Sequence, residues 1–147
     1  VVMFVYFGVK FLRYWKENIV RDYDRVWQKR LPDILANNDH GLPEIDKYNF
    51  GQKQLFWAWS VSMLLLLASG AVMWRDYFTF PIPVIRVAAV VHALAAFVMI
   101  VGFVAHVYSA IFWVRGSMRA ITRGTVSTAW AKHHHPLWYR RVTGGQK

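Results

Sequence analysis

A run of 28 consecutive residues without a formal charge, from position 87 to position 114, limits most strongly how this chain can fold. As an α-helix the run would be about 42 Å long, which exceeds the ~30 Å hydrocarbon thickness of a bilayer. It therefore predicts a transmembrane helix that tilts or extends beyond the membrane. A second uncharged run, at positions 55–74, is long enough to cross the membrane once.

Composition also indicates a membrane protein, because 56% of the residues are hydrophobic and 17% are aromatic. Eight tryptophans and seven tyrosines suit the aromatic belts at membrane interfaces. The chain has no cysteine, which excludes disulfides, thiolate-bound zinc, protein-bound iron–sulfur clusters and covalent c-type haem on this chain. Any metal must therefore be held mainly by histidine.

The net charge of +10 is concentrated beside the apolar runs. Nine of the eighteen lysines and arginines lie at positions 10–53 and seven at positions 115–147, whereas Arg75 and Arg86 alone lie between the two complete runs. This placement favours membrane lipid as the partner of the basic segments and argues against nucleic acid. By the positive-inside rule, the first two segments face the cytoplasm and the connection between the runs faces outward.

These patterns predict an all-α membrane protein with a single membrane domain over residues 1–147. Residues 22–35 are expected to form a short interfacial helix, followed by turns at 37–43. The first apolar run would span only about 13.5 Å as a helix, so we expect the chain to be N-terminally truncated within a transmembrane helix. The predicted segments are a partial transmembrane helix (1–15), a cytoplasmic connection (16–53), a transmembrane helix (54–75), an outer connection (76–84), a second complete transmembrane helix (85–115) and a basic cytoplasmic tail (116–147).

His92 and His106 are the only titratable side chains, apart from Tyr108, in the longest uncharged run, and they are fourteen positions apart. Fourteen residues make almost four helical turns, so both rings should project from one face, about 21 Å apart along the axis. A lone histidine could simply be a packing residue with a satisfied hydrogen bond. A pair at opposite membrane depths instead favours two stacked b-type haems, each requiring a second axial histidine from another helix.

The segment at positions 47–53 enters the second run near the depth of His106. Asn49 and Gln52 offer donors and acceptors for a quinone carbonyl, and Gly51 allows a ring to approach the backbone. The alternative is an ordinary helix start with Asn49 as its cap. Adjacent histidines at 133–135 rarely converge on one ion, so they predict a basic, aromatic surface segment and no metal site.

Four stretches resemble the cytochrome b (gamma) subunit of respiratory membrane-bound formate dehydrogenase, and the resemblance covers essentially the whole chain. It implies a transmembrane four-helix cytochrome b bundle with two b-type haems, in which His92 ligates the outer haem and His106 the inner one. Asn49, Gly51 and Gln52 then match a menaquinone site with His106 at its haem edge. The stretches are KYNFGQKQLFW (47–57), SGAVMWRDYF (69–78), HALAAF (92–97) and HVYSAIFWVRGSMRAITRGTVSTAWAKHHHPLWYR (106–140).

The resemblance also implies partners. Formate would be oxidised on a molybdenum or tungsten catalytic (alpha) subunit, and electrons would pass through an iron–sulfur (beta) subunit and both haems to menaquinone or ubiquinone. The chain would be a multi-pass protein of the bacterial inner membrane with a cytoplasmic C-terminus, in a complex that could form a higher oligomer. The family's opposite axial histidines lie on its first helix and early second helix, and this sequence has no matching positions.

Two other functions fit the same sequence features. One is the cytochrome b subunit of a membrane-bound hydrogenase, which would differ in the partner that copurifies. The other is a non-redox membrane anchor, for which the two histidines would be dispensable. A transporter has less support, because the complete helices carry no paired charges and no interrupted-helix signature.

Overall fold

The computed structural model describes residues 2–36, 38, 41–75 and 77–144, which form helices and no strand. The predicted turn residues Asn37, Asp39 and His40 and the connection residue Asp76 lie outside the described residues. The all-α prediction is confirmed for the described part, and the four-helix bundle stays a prediction. The helices are α1 (Val2–Tyr14), a 3-10 turn (Trp15–Asn18), α2 (Asp22–Lys29), α3 (Leu31–Leu35), α4 (Phe50–Met73), α5 (Ile82–Tyr108), a π-helical turn (Ser109–Trp113), α6 (Met118–Arg123), α7 (Thr128–His134) and α8 (Pro136–Val142).

Helices α4 and α5 form an antiparallel hairpin. With its π-helical turn, the second arm extends over Ile82–Trp113, and both arms are long and apolar enough to cross a membrane. We call the connection at 74–81 the closed end of the hairpin. The open end is where α4 begins and the π-helical turn finishes.

Prolines explain where two helices depart from the predicted boundaries. Helix α5 begins at Ile82, three residues earlier than expected, because Pro83 lies in the first turn, where a missing N–H costs no hydrogen bond. The predicted helix at 22–35 is divided into α2 and α3 around Arg30. Pro32 disfavours a continuous helix there, since its ring clashes with the carbonyl four residues earlier.

Small side chains lie where the hairpin arms pack together, and large apolar ones face outward. The buried positions of α4 and α5 include Ala88, Ala95 and Ser62, whereas Leu94 and Phe97 remain more than 60% exposed. Lipid tails are as apolar as leucine, so membrane helices associate through close packing of small residues. The outward apolar surface therefore suits lipid or further helices.

Aromatic contacts join α1 to the start of α4. The Phe11 ring stacks on Phe56 at 5.7 Å and meets Trp57 edge-on at 5.8 Å. The Trp57 indole also donates a hydrogen bond to the Asn18 carbonyl at 2.9 Å. These contacts fix the segment that follows α1 beside the open end of the hairpin.

Candidate functional site

His92 lies on α5 near the closed end and faces α4. Its Nδ1 atom is 2.9 Å from the Ser69 hydroxyl, and its ring is half-buried. A Cβ on Gly70 would lie 3.7 Å from the His92 Cε1 atom, so the ring lies over a helix surface without a side chain. Ser69 also donates a hydrogen bond to the Leu65 carbonyl of its own helix.

His106 lies nearer the open end and also faces α4. Its ring is exposed and meets the Trp59 ring edge-on at 5.8 Å, and among the described residues it makes no hydrogen bond. The Trp59 indole lies over Gly102, where an added Cβ would come within 2.9 Å of the indole nitrogen. Both histidines thus face α4, as their fourteen-residue spacing predicts, but only His92 has a polar partner.

The indole nitrogen of Trp59 is buried and has no hydrogen-bond partner among the described residues. A π-helical turn follows His106, and the Val114 amide donates to the Ser109 carbonyl at 2.8 Å. Such turns inside α-helices are often found at functional sites. The sequence gives no local signal for this turn.

Asn49 and Gln52 form a reciprocal capping box at the start of α4. The Asn49 Oδ1 atom accepts the Gln52 amide at 2.9 Å, and the Gln52 Oε1 atom accepts the Asn49 amide at 3.0 Å. The structure therefore shows the helix cap that was the alternative to a quinone site. In this cap the side-chain carbonyl oxygens of Asn49 and Gln52 both accept backbone amides. A Cβ at Gly51 would meet the Trp27 ring at 3.6 Å, so α2 covers the turn that holds the three predicted quinone residues.

A buried ion pair joins α2 to the first turn of α4, and the sequence interpretation missed it. Lys53 Nζ lies 2.6 Å from Asp24 Oδ2, and the two side chains are 1% and 0% exposed. The ammonium also bonds the Tyr23 hydroxyl at 3.2 Å and lies over its ring. The second oxygen of Asp24 is buried without a hydrogen-bond partner among the described residues. The one sign of this ion pair in the sequence is Lys53 itself, which stands directly before an uncharged run.

Lys47 connects the segment before the capping box to the turn after α1. Its ammonium bonds Glu17 at 2.7 Å and lies over the Tyr14 and Tyr48 rings. Partial burial is the largest single influence and would lower the pKa of Lys47, but the hydrogen bond to Glu17 and the interactions with the charge of Glu17 and with Tyr48 together outweigh it, so the pKa is raised. Burial raises the pKa of Tyr48. Lys47 therefore holds the chain in place before the capping box, as Lys53 does after it.

The C-terminal tail docks on residues 44–46. His135 is 7% exposed, and its Nδ1 atom bonds the Asp46 carbonyl at 2.9 Å. Arg141 pairs with the Asp46 carboxylate at 2.9 Å, and Arg140 forms a two-point contact with Glu44. The prediction of a surface segment at 133–135 is therefore wrong for His135, because the tail folds back and covers it.

His92 and His106 are the side chains best suited to hold a metal-containing cofactor. Among the described residues, no three histidine, aspartate or glutamate side chains gather as a metal site. A cofactor that brings its own equatorial ligands needs only axial donors from the protein, which is what haem requires. A groove of about 670 Å³ also runs between the hairpin arms, with Ala58, Ser62 and Ala95 among its lining residues.

The family of prokaryotic cytochrome b561 matches residues 1–124 of this chain. The formate dehydrogenase cytochrome b556 subunit of Haemophilus influenzae is 44% identical over 142 residues, which are 95% of this chain and 59% of that protein. The cytochrome b556(fdo) subunit of Escherichia coli K12 is 46% identical over 144 residues, or 97% of this chain and 67% of that protein.

The nitrate-inducible formate dehydrogenase cytochrome b556(Fdn) subunit of Escherichia coli K12 is 38% identical over 144 residues, which are 97% of this chain and 66% of that protein. The chain thus spans about 59–67% of the length of these relatives. Its two apolar helices and the histidine pair fall inside the family match. The chain therefore belongs to the prokaryotic cytochrome b561 family and is a bacterial membrane protein.

Proposed function

We propose that this chain is the haem b electron-transfer and membrane-anchor subunit of a formate dehydrogenase and that its complex reduces a quinone. The observation that carries the proposal is the pair His92 and His106, which face α4 at opposite ends of a membrane-length helix. Relatives with 38–46% identity over nearly the whole chain bear the name of that subunit. Two haems, one per histidine, is the arrangement that this geometry favours.

The donor atoms of the two histidines fit axial ligation of haem b. In His92 the Nδ1 atom is engaged by Ser69, which leaves Nε2 as the ligand atom. The exposed ring of His106 offers its nitrogens to a group that lies against the outside of the hairpin. Haem b, when bound, accepts and releases one electron at a time. Each iron would need an opposite histidine from another helix.

The first turn of α4 is proposed to bind the quinone. The capping box fixes the side chains of Asn49 and Gln52 through their oxygens, so each amide keeps an NH2 group as a donor for a quinone carbonyl. The Trp27 ring, which already lies 3.6 Å from the position of a Cβ on Gly51, would form one wall of this site. Reduction of menaquinone or ubiquinone to the quinol takes up two electrons and two protons at this place.

The same proposal assigns the partners and the orientation in the membrane. Formate would be oxidised on a molybdenum or tungsten (alpha) subunit and electrons delivered by an iron–sulfur (beta) subunit. Sixteen of the eighteen lysines and arginines lie on the segments at and beyond the open end, which indicates that this end faces the cytoplasm. Proton uptake there and formate oxidation outside would together build a proton-motive force.

Purification of the complex that contains the full protein tests the proposal. We expect formate to reduce a b-type haem spectrum, and we expect His92→Ala and His106→Ala each to remove haem and abolish formate-dependent quinone reduction. Val90→Ala and Val104→Ala are matched controls, because each exposed valine lies two residues before one of the histidines on the same helix. Both controls should keep the wild-type spectrum and rate.

Two results would overturn the proposal. Unchanged haem content and quinone reduction in both histidine variants would favour a non-redox membrane anchor. Haem that is reduced by hydrogen and not by formate, with a hydrogenase subunit as the copurifying partner, would favour the hydrogenase alternative.

A further inference from the structure

We propose that Ser69 is a positioning residue for His92. The Ser69 hydroxyl keeps the proton of the His92 ring on Nδ1 and thereby sets the potential of the haem at the closed end. The inference rests on the proposed ligation of haem by His92. It adds a residue on the neighbouring helix whose own side chain does not bind the iron. Ser69 is 5% exposed, so its hydroxyl is sealed between the hairpin arms.

The hydrogen-bond directions around Ser69 follow from its position on α4. A hydroxyl has one proton to donate, and Ser69 donates it to the carbonyl of Leu65 one turn earlier. Its oxygen is then available to His92 as an acceptor. With the Ser69 proton assigned to the Leu65 carbonyl, the 2.9 Å contact runs from a protonated Nδ1 of His92 to the Ser69 oxygen.

A proton held on Nδ1 leaves the lone pair of a neutral imidazole on Nε2. The partner of the non-ligating nitrogen fixes both the ring orientation and the tautomer of a metal-bound histidine, and it makes the ligand more basic. A more basic ligand stabilises ferric over ferrous iron. Ser69 should accordingly hold the potential of this haem below the value it would have without the hydroxyl.

The chain contains an internal comparison for this effect. Ser60 lies on the same helix, is 3% exposed and donates to the Phe56 carbonyl at 2.7 Å, the same one-turn pattern as Ser69. In the described part of the chain, Ser60 has no hydrogen bond to His92 or His106. His106, at the other end, has no hydrogen-bonding partner of this kind within the described ranges. The inference therefore concerns one haem.

The test is a redox titration of the purified complex, followed by optical and electron paramagnetic resonance spectra. Ser69→Ala should retain haem and raise the midpoint potential of the closed-end haem. A tenfold change in the relative binding of the two iron states corresponds to about 59 mV for one electron. Ser69→Thr keeps the hydroxyl and should restore the wild-type potential, and Ser60→Ala should not change it.

The outcomes separate this inference from the proposed function. The positioning role of Ser69 is refuted if Ser69→Ala and Ser60→Ala both leave the midpoint potentials of the two haems at the wild-type values. It is also refuted if the two variants lose haem to the same extent. In either case ligation by His92 stands. If His92→Ala keeps its haem, the proposed ligation fails first. Loss of the closed-end haem in Ser69→Ala would contradict the expected retention of haem and would overturn the role of Ser69 in setting the potential.

Discussion

At the closed end of the hairpin His92 is half-buried and hydrogen-bonded to Ser69, whereas at the open end His106 is exposed and meets only the edge of Trp59. The two histidines of α5 thus have different surroundings. At the closed end the chain itself orients the imidazole. At the open end the imidazole is left accessible, as the proposed quinone site beside it would require.

The two ends also differ in what fixes the surrounding backbone. A serine hydroxyl and a bare glycine surface shape the closed end. At the open end, charged groups add to the aromatic contacts: the buried pair of Lys53 and Asp24, and the tail contacts to Asp46. We therefore expect the open end to respond more strongly to the loss of a charge and to pH.

Removal of one partner of the buried ion pair should have the largest effect. Lys53→Met leaves Asp24 charged at an almost unexposed position, and such a change typically costs about 3–5 kcal/mol. We expect a large decrease in the thermal unfolding temperature of the purified complex and loss of quinone reduction. Haem bound by His92 should be affected less than haem bound by His106.

The double variant Asp24→Leu/Lys53→Met is the control for this prediction. Replacing a buried pair by apolar side chains of similar volume is often nearly neutral, so most of the stability should return. If it returns while quinone reduction stays low, the charges have a role beyond holding α2 in place. A single variant as stable as the wild-type protein would show that charge does not fix the open end.

The two glycines offer a second and smaller test of the difference between the ends. Gly102→Ala would place a Cβ 2.9 Å from the Trp59 nitrogen, whereas Gly70→Ala would place one at an ordinary 3.7 Å from His92. Overpacking costs roughly 1–3 kcal/mol, and the better helix propensity of alanine offsets up to about 1 kcal/mol. Gly102→Ala should therefore destabilise the protein and perturb the spectrum of the haem at His106.

Gly70→Ala is the matched control and should unfold at the wild-type temperature or slightly above it. Equal effects of both substitutions, measured by thermal unfolding and by haem spectra, would contradict the packing difference between the two ends.

Local sequence patterns predicted the elements that depend on local physics. Charge-free length predicted the two hairpin helices, and fourteen-residue spacing predicted that His92 and His106 share a face. The residue type of Asn49 at a helix start predicts a possible cap, and the structure adds the reciprocal bonds with Gln52. Helical spacing of apolar residues predicts one helix over 22–35, whereas Pro32 favours the break between α2 and α3 that the structure shows.

Contacts across the chain could not be predicted in the same way. Ser69 meets His92, and Lys53 meets Asp24, only because of the antiparallel register of α4 and α5 and the return of α2 over α4. No spacing rule connects residues on separate helices without that register. His135 is a similar case, because its burial depends on a segment 89 positions earlier in the chain.

The smallest expected effect concerns pH at the docked tail. Burial lowers the pKa of His135 below its usual 6.5, although the Asp46 carbonyl and carboxylate act in the opposite direction. Because the folded protein holds this ring neutral more strongly than the unfolded chain does, its contribution to docking is complete above pH 6.5 and is lost as the pH falls through the lowered value. Protection against hydrogen exchange in residues 135–142, relative to the intrinsic rate at each pH, should decrease over that interval.

His135→Gln is the variant that isolates this ring, because its amide can replace the hydrogen bond to Asp46 and does not titrate. The bond itself contributes only about 1 kcal/mol, so the wild-type and variant tails should exchange at similar rates at pH 8. The protection of the two tails should differ as the pH falls below 6.5, while protection around Ser69 and His92 stays constant. A tail that loosens identically in both proteins would show that the His135 ring does not cause the pH response.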